Sequence, residues 1–157
     1  MGDIEQVFEE IKEATKRALR QAIEDARDDV IKIVKDRTAK GKRHDGQNFS
    51  PYSDRHTYRR KKEGLQTNHK DMRFTSTLFD NFEEITRIET DEKIGIIIGF
   101  KGQSKRRKDQ GSAANADVAV WLSEQEGGSI IKLSSAEREA IVDKIQEKFN
   151  LNLQIND

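Results

Sequence analysis

The residues of this chain that could do acid–base or metal chemistry are three histidines, His44, His56 and His69, each with an aspartate close in sequence (Asp45, Asp54 and Asp71). A metal site needs three or four such ligands to converge on one ion. The spacing of these histidines matches no zinc pattern, and His44-Asp45-Gly46 reads as a surface turn. The chain has no cysteine, which removes disulfides, thiolate metal sites and a thiol nucleophile. No glycine-rich phosphate loop and no Gly-x-Ser-x-Gly elbow occurs. The expectation is therefore no enzyme, no cofactor and no metal, with a metal-dependent nuclease as the lesser alternative.

Two runs of positive charge are the other candidates: Arg59, Arg60, Lys61 and Lys62, and Lys105, Arg106, Arg107 and Lys108. Either could meet phosphates by charge attraction, which keeps a small DNA-binding accessory protein as an alternative. The bland reading is solvated charge, or pairing with an acidic partner. Only Tyr58 sits beside a cluster as a possible stacking platform. The 29 basic residues are balanced by 29 acidic ones, unlike the strongly basic domains of dedicated nucleic-acid binders.

These residues need elements to hold them. Residues 3–36 place apolar side chains at steps of three and four (Ile4, Val7, Phe8, Ile11, continuing to Val30, Ile33 and Val34) without an intervening glycine or proline. That is one long amphipathic helix, unless it breaks near Ala26–Asp29. At 1.5 Å per residue it reaches about 50 Å, longer than a domain of this size needs to cover itself. Glycines 41 and 46 then mark irregular backbone, and Pro51 fixes a turn. Ser53 can cap a short helix over 54–63 that Gly64 ends. Thr75 or Ser76 can start a further turn or two of helix through Leu78, Phe79 and Phe82.

Residues 84–90 and 94–100, joined by a four-residue turn, read as a β-hairpin. The second strand, Ile-Gly-Ile-Ile-Ile-Gly-Phe, is apolar enough to lie centrally in its sheet. Residues 101–116 read as a flexible loop, 116–125 as a helix ended by Gly127-Gly128, and 129–133 as a short strand. Ser134-Ser135-Ala136-Glu137 is a capping-box pattern that opens a last helix, and the tail from Asn150 alternates like a strand or extended arm.

With 33% apolar and 37% charged residues among 157, a solitary chain can bury only a thin core. An elongated shape or burial against other copies is expected, or else a small core with floppy ends. The charged N-terminus is not a signal peptide, and no apolar run approaches the ~18 residues of a membrane helix. A protein made in the cytoplasm, without membrane contact, is expected.

The order of parts resembles the virion morphogenesis or tail-completion proteins of tailed bacteriophages. The likeness rests on Arg37-Thr38, Gly41, Asp45-Gly46, Phe49-Ser50-Pro51-Tyr52-Ser53, Tyr58, Lys61-Lys62, Asp71 to Phe79 (with Phe74 and Leu78 as anchors) and Leu133-Ser134. It spans roughly residues 30–148, with its specific part at 37–82. Ser76 stands where that family usually has glycine, and the Phe-Gly-Thr and Pro-x-Arg-Pro-Phe elements common there are missing around Trp121–Gly128. The resemblance implies a structural neck protein at the head–tail connection, a ring-forming homo-oligomer in the virion. Its partners would be portal or adaptor and tail proteins, with possible contact to packaged DNA. Residues 101–116 and the tail would be docking arms.

The reading as a whole is one α+β domain over 1–157: a long helix (1–36), a motif-bearing segment (37–82) and an α+β core (83–157). The sheet is small and mainly antiparallel, and a C-terminal helix packs on it.

Overall fold

The structure, a computed structural model, describes residues 2–72, 77–105 and 112–154. Its class is α+β, as expected. The long helix α1 runs unbroken from Gly2 to Ala39, about 57 Å at 1.5 Å per residue. It is followed by α2 (Asp54–Lys62), a single turn α3 (Thr77–Asp80) and the antiparallel hairpin β1 (Phe82–Glu89) and β2 (Ile94–Phe100). Two short strands, β3 (Gln103–Lys105) and β4 (Ser112–Ala114), pair antiparallel before α4 (Asn115–Gln125) and α5 (Ser135–Gln154).

Helix α1 is the spine. Its stripe of small residues, Ala18, Ala22 and Ala26, is buried, and small side chains let a partner helix approach closely. That partner is α5, which runs antiparallel to α1. Glu137 meets Arg37, Lys144 meets Asp29, and the Asn152 side chain donates to the Ala18 carbonyl. The hairpin lies along another face of α1. Lys16 pairs with Asp91, Arg20 with Glu89, Glu24 with Arg87 and Arg27 with Glu84. The helical residues of this ladder recur every three or four positions, so they share one face. The carboxylates of Glu84, Glu89 and Asp91 are held below their ordinary range, each first by the hydrogen bond it accepts, from Arg87, Arg20 and Lys16 respectively. Exposed pairs of this kind are screened by salt and set orientation more than stability.

The apolar core sits where α1, the hairpin and α4 meet, around Val34, Phe49, Leu78, Phe79, Phe82, Phe100 and Ile130. Phe82 and Phe100 stack tilted at 4.9 Å between centroids, and Phe79 meets Phe100 edge-on at 5.3 Å, both within the range where aromatic pairs attract.

Four expectations need correction. Residues 129–133 form no strand: 130 and 131 make a turn and the rest is irregular. As far as Gln154 the tail is helix rather than an extended arm, because α5 continues through Leu151 and Leu153; residues 155–157 lie outside the described residues. Those leucines alternate, but they also fit a helix that is already running. Strand β2 is not central: its sheet has two strands, and Ile97 is exposed. The segment 101–116 is not a plain loop, since its two ends pair as β3 and β4. The positions expected to cap α3, Thr75 and Ser76, lie outside the described residues.

Candidate functional site

The motif-bearing segment folds into a closed polar knot. Ser53 caps α2, accepting from the His56 backbone N–H, and Gly64 ends it with φ +68°. Helix α2 thereby aims Arg60 inward. The Arg60 guanidinium donates to Asp71 Oδ2 (2.9 Å) and to the Gln66 carbonyl (2.7 Å), and lies 4.6 Å over the Tyr52 ring. The Tyr52 hydroxyl donates to Asp71 Oδ1 (2.7 Å) and accepts from the Asp71 backbone N–H (3.1 Å). Gln66 closes the ring by donating to Asp71 Oδ2 (2.7 Å) and the His69 carbonyl (2.8 Å). Burial, then the bond to Asp71, pushes the Tyr52 hydroxyl up to about 12.

A second carboxylate ties the same segment to the end of α4. Glu126 is buried and accepts from the Ser50 backbone N–H (2.8 Å), the Ser50 hydroxyl (2.8 Å) and the Lys70 ammonium. Burial works to raise its pKa. The hydrogen bonds from Lys70 and Ser50 outweigh that and hold it below the ordinary carboxylate range. Phe49, between these anchors, enters the core at 5% exposure, while Pro51 stays at the surface.

His69 completes the packing: its Nε2 lies 2.9 Å from the Ala39 carbonyl, and its ring crowds Gly41. A Cβ at residue 41 would sit 2.7 Å from that ring, and the backbone there has φ +72°, so only glycine fits. Met72, which follows Asp71, is a non-glycine residue at φ +54°, a conformation held only where surroundings over-determine it.

Several proposed contact residues therefore have internal duties. Arg60 must be withdrawn from the surface cluster, because it is 1% exposed and bound to Asp71. Arg59 pairs with Glu63, whereas Lys61, Lys62 and Tyr58 face solvent. Leu78 is in the core. Lys105 ends β3, and Arg106, Arg107, Lys108 and Phe74 lie outside the described residues. The three histidines do not converge, and among the described residues no three His, Cys, Asp or Glu side chains gather as a metal-holding group. Sequence reading missed Glu126, Gln66 and Lys70. No local signal marked them: Glu126 follows Glu124 at the end of α4, and the sequence does not distinguish the two.

Two apolar surfaces remain uncovered. The first is the start of α1. Helix α5 ends near Ala18, and the hairpin reaches only to Lys16. Beyond them Ile4, Val7, Phe8 and Ile11 are exposed by 51–67%. The second is a groove of about 600 Å³ between the end of β2, α4 and the turn after it, lined by Phe100, Ala119, Val120, Ile130 and Ile131. Among the described residues no helix is long and apolar enough to cross a membrane. No family model matches this chain, and neither a curated protein nor a solved structure matches it.

Proposed function

We propose that this chain is a structural subunit that assembles with copies of itself, and that it works by contact rather than catalysis at the head–tail junction of a tailed phage particle. The observation that carries the assembly half is the bare overhang of α1, with Ile4, Val7, Phe8 and Ile11 on one face and no partner within the described chain. Anchors at this spacing are what an amphipathic helix lays into an apolar groove. The groove beside α4 is such a receptor on the same chain. Overhang and groove are different surfaces, so pairing them joins copies head to tail, and head-to-tail contacts that close make a ring. The virion half rests on the motif resemblance over residues 37–82. Lys61, Lys62 and Tyr58 are left facing outward for a portal, tail or DNA neighbour.

Sedimentation of the full chain over a range of concentrations tests the assembly half. A discrete ring-sized species is expected, lost in Phe8→Asp. A monomer at every concentration, both alone and mixed with portal or tail proteins, overturns it. Immunogold electron microscopy of purified particles tests the second half: label at the neck supports it, and absence from mature particles refutes it.

A further inference from the structure

A second pocket, of about 600 Å³, opens where the start of α5 meets the loop after α1. Five cationic side chains line it, those of Arg37, Lys42, Arg43, Lys132 and Arg138, against the two carboxylates of Asp45 and Glu137. In a chain of zero net charge this is a local concentration of positive potential, and a concave surface focuses it. Arg43 is held by Asp45 and the Glu126 carbonyl, and Arg37 by Glu137 and the carbonyls of Ile130 and Lys132. Lys42 and Lys132 make no ion pair among the described residues and are exposed. Ser134 and Glu137 cap α5 reciprocally. The remaining first-turn N–H groups of this 20-residue helix add the positive end of its dipole.

Two polar atoms in the wall of the pocket are unsatisfied. The Arg37 side chain, 10% exposed, has an Nε with no hydrogen-bond partner among the described residues. The buried Nδ1 of His44, which also lines the pocket, is likewise without one. Both atoms are closed off from the pocket surface, so they are a cost of fixing these two side chains in the wall, and the ligand-facing groups are the exposed Lys42, Lys132 and Arg138.

The geometry points to an anion-binding site for a phosphate group, seated between Lys42, Lys132 and Arg138 at the N-terminus of α5. Helix N–H groups and convergent cations are how phosphates are held without base or sugar recognition. The charged pocket adjoins the apolar groove, since Ile131 of the one is followed by Lys132 of the other, but they share no lining residue, and anion binding is read without reference to assembly.

Calorimetric titration of the full chain with pyrophosphate at low salt is the test. Saturable binding is expected, weakened at least tenfold in the double variant Lys42→Glu, Lys132→Glu and unchanged in Lys61→Glu, Lys62→Glu. The two pairs are all exposed lysines, so folding is spared and total charge changes equally. No saturable binding overturns the site. Equal losses in both variants also overturn it, because they mean diffuse charge attraction. Succinate binding as tightly as pyrophosphate refutes the phosphate assignment. A short DNA duplex that displaces pyrophosphate identifies the phosphate as that of a nucleic-acid backbone; a duplex that does not compete identifies a small free phosphate. Either result keeps the site.

Discussion

The knot around Asp71 and the overhang of α1 invert the usual relation between polarity and burial. Residues 50–71 are among the most polar of the chain, yet they turn Arg60, Asp71 and Tyr52 toward one another and tie Ser50 and Lys70 to Glu126. Residues 4–11 carry a clean apolar stripe, and it faces water. A polar segment that satisfies itself has little left to offer a partner beyond the outward-facing Tyr58, Lys61 and Lys62. An apolar segment with nothing against it does. The stretch with the most distinctive sequence thus builds the scaffold, and the outward-looking surface belongs to a periodic pattern that any amphipathic helix shares.

The largest expected effect lies in the knot. Asp71→Ala strands the guanidinium of Arg60, which is 1% exposed, and removes the acceptor for Tyr52 and Gln66. Breaking a buried pair by deleting one partner costs about 3–5 kcal/mol. Urea unfolding should show that loss. A change under about 1 kcal/mol would mean the knot is open to solvent, and the contrast with the overhang would fail. Asp71→Asn sharpens the same point, since it keeps shape and removes charge.

Next comes Gly41→Ala. The substitution forces a side chain into the left-handed region and drives its Cβ to 2.7 Å from the His69 ring. Gly→Ala at a compatible site stabilises by ~0.4–1 kcal/mol, and at an incompatible one destabilises by more than that. The expected loss is therefore above about 1 kcal/mol, read from the same unfolding curve. His69→Ala in the Gly41→Ala background should recover part of it, because the clash goes while the φ strain stays.

The long helix, the hairpin, the capped α2 and the capping box of α5 were legible because each is a local signal: an apolar period, a turn, a cap. The rest depended on partners distant in sequence. Nothing near Glu126 announces that Ser50 and Lys70 will close on it. The alternation of Leu151 and Leu153 is compatible with strand or helix, and the continuing helix α5 decided it. The apolar run of β2 suggested burial on both faces, but α1 covers one side and Ile97 is left outside. Within the basic cluster at 59–62, side-chain direction could not be read from charge alone, and a helical turn sent Arg60 inward. The periodicity of α1 is the same at Ile4 and at Val34; it fixes which face is apolar and says nothing of where cover ends.

Acid and alkali provide a gentler probe of the knot. Glu126 has a folded pKa below its ordinary value of 4.5, so its contribution is full above that value and fades as pH falls through the folded one. Tyr52 is raised from 10 to about 12, so its contribution is full below pH 10 and fades as pH rises toward 12. Stability should fall on both sides of a neutral plateau. Glu126→Gln should make the acid limb shallower and Tyr52→Phe the alkaline one, each leaving the other limb in place, with Glu84, Glu89 and Asp91 supplying the rest of the acid limb. Limbs that do not respond to these variants would place the titrating groups elsewhere, most plainly in the ion-pair ladder between α1 and the hairpin.

The smallest effect on stability should come from the overhang, and its smallness is the informative part. Phe8 is 67% exposed, so Phe8→Asp removes little buried area. The aspartate pays a modest helix propensity cost, partly offset near a helix N-terminus by the dipole. Surface changes away from special features stay within ±0.5 kcal/mol. At a concentration low enough to keep the chain monomeric, the urea midpoint of Phe8→Asp should therefore match that of the parent, while at high concentration the two should differ in mass. A midpoint lowered as far as that of Gly41→Ala would mean that the stripe is already packed within one chain, leaving it no surface to offer another.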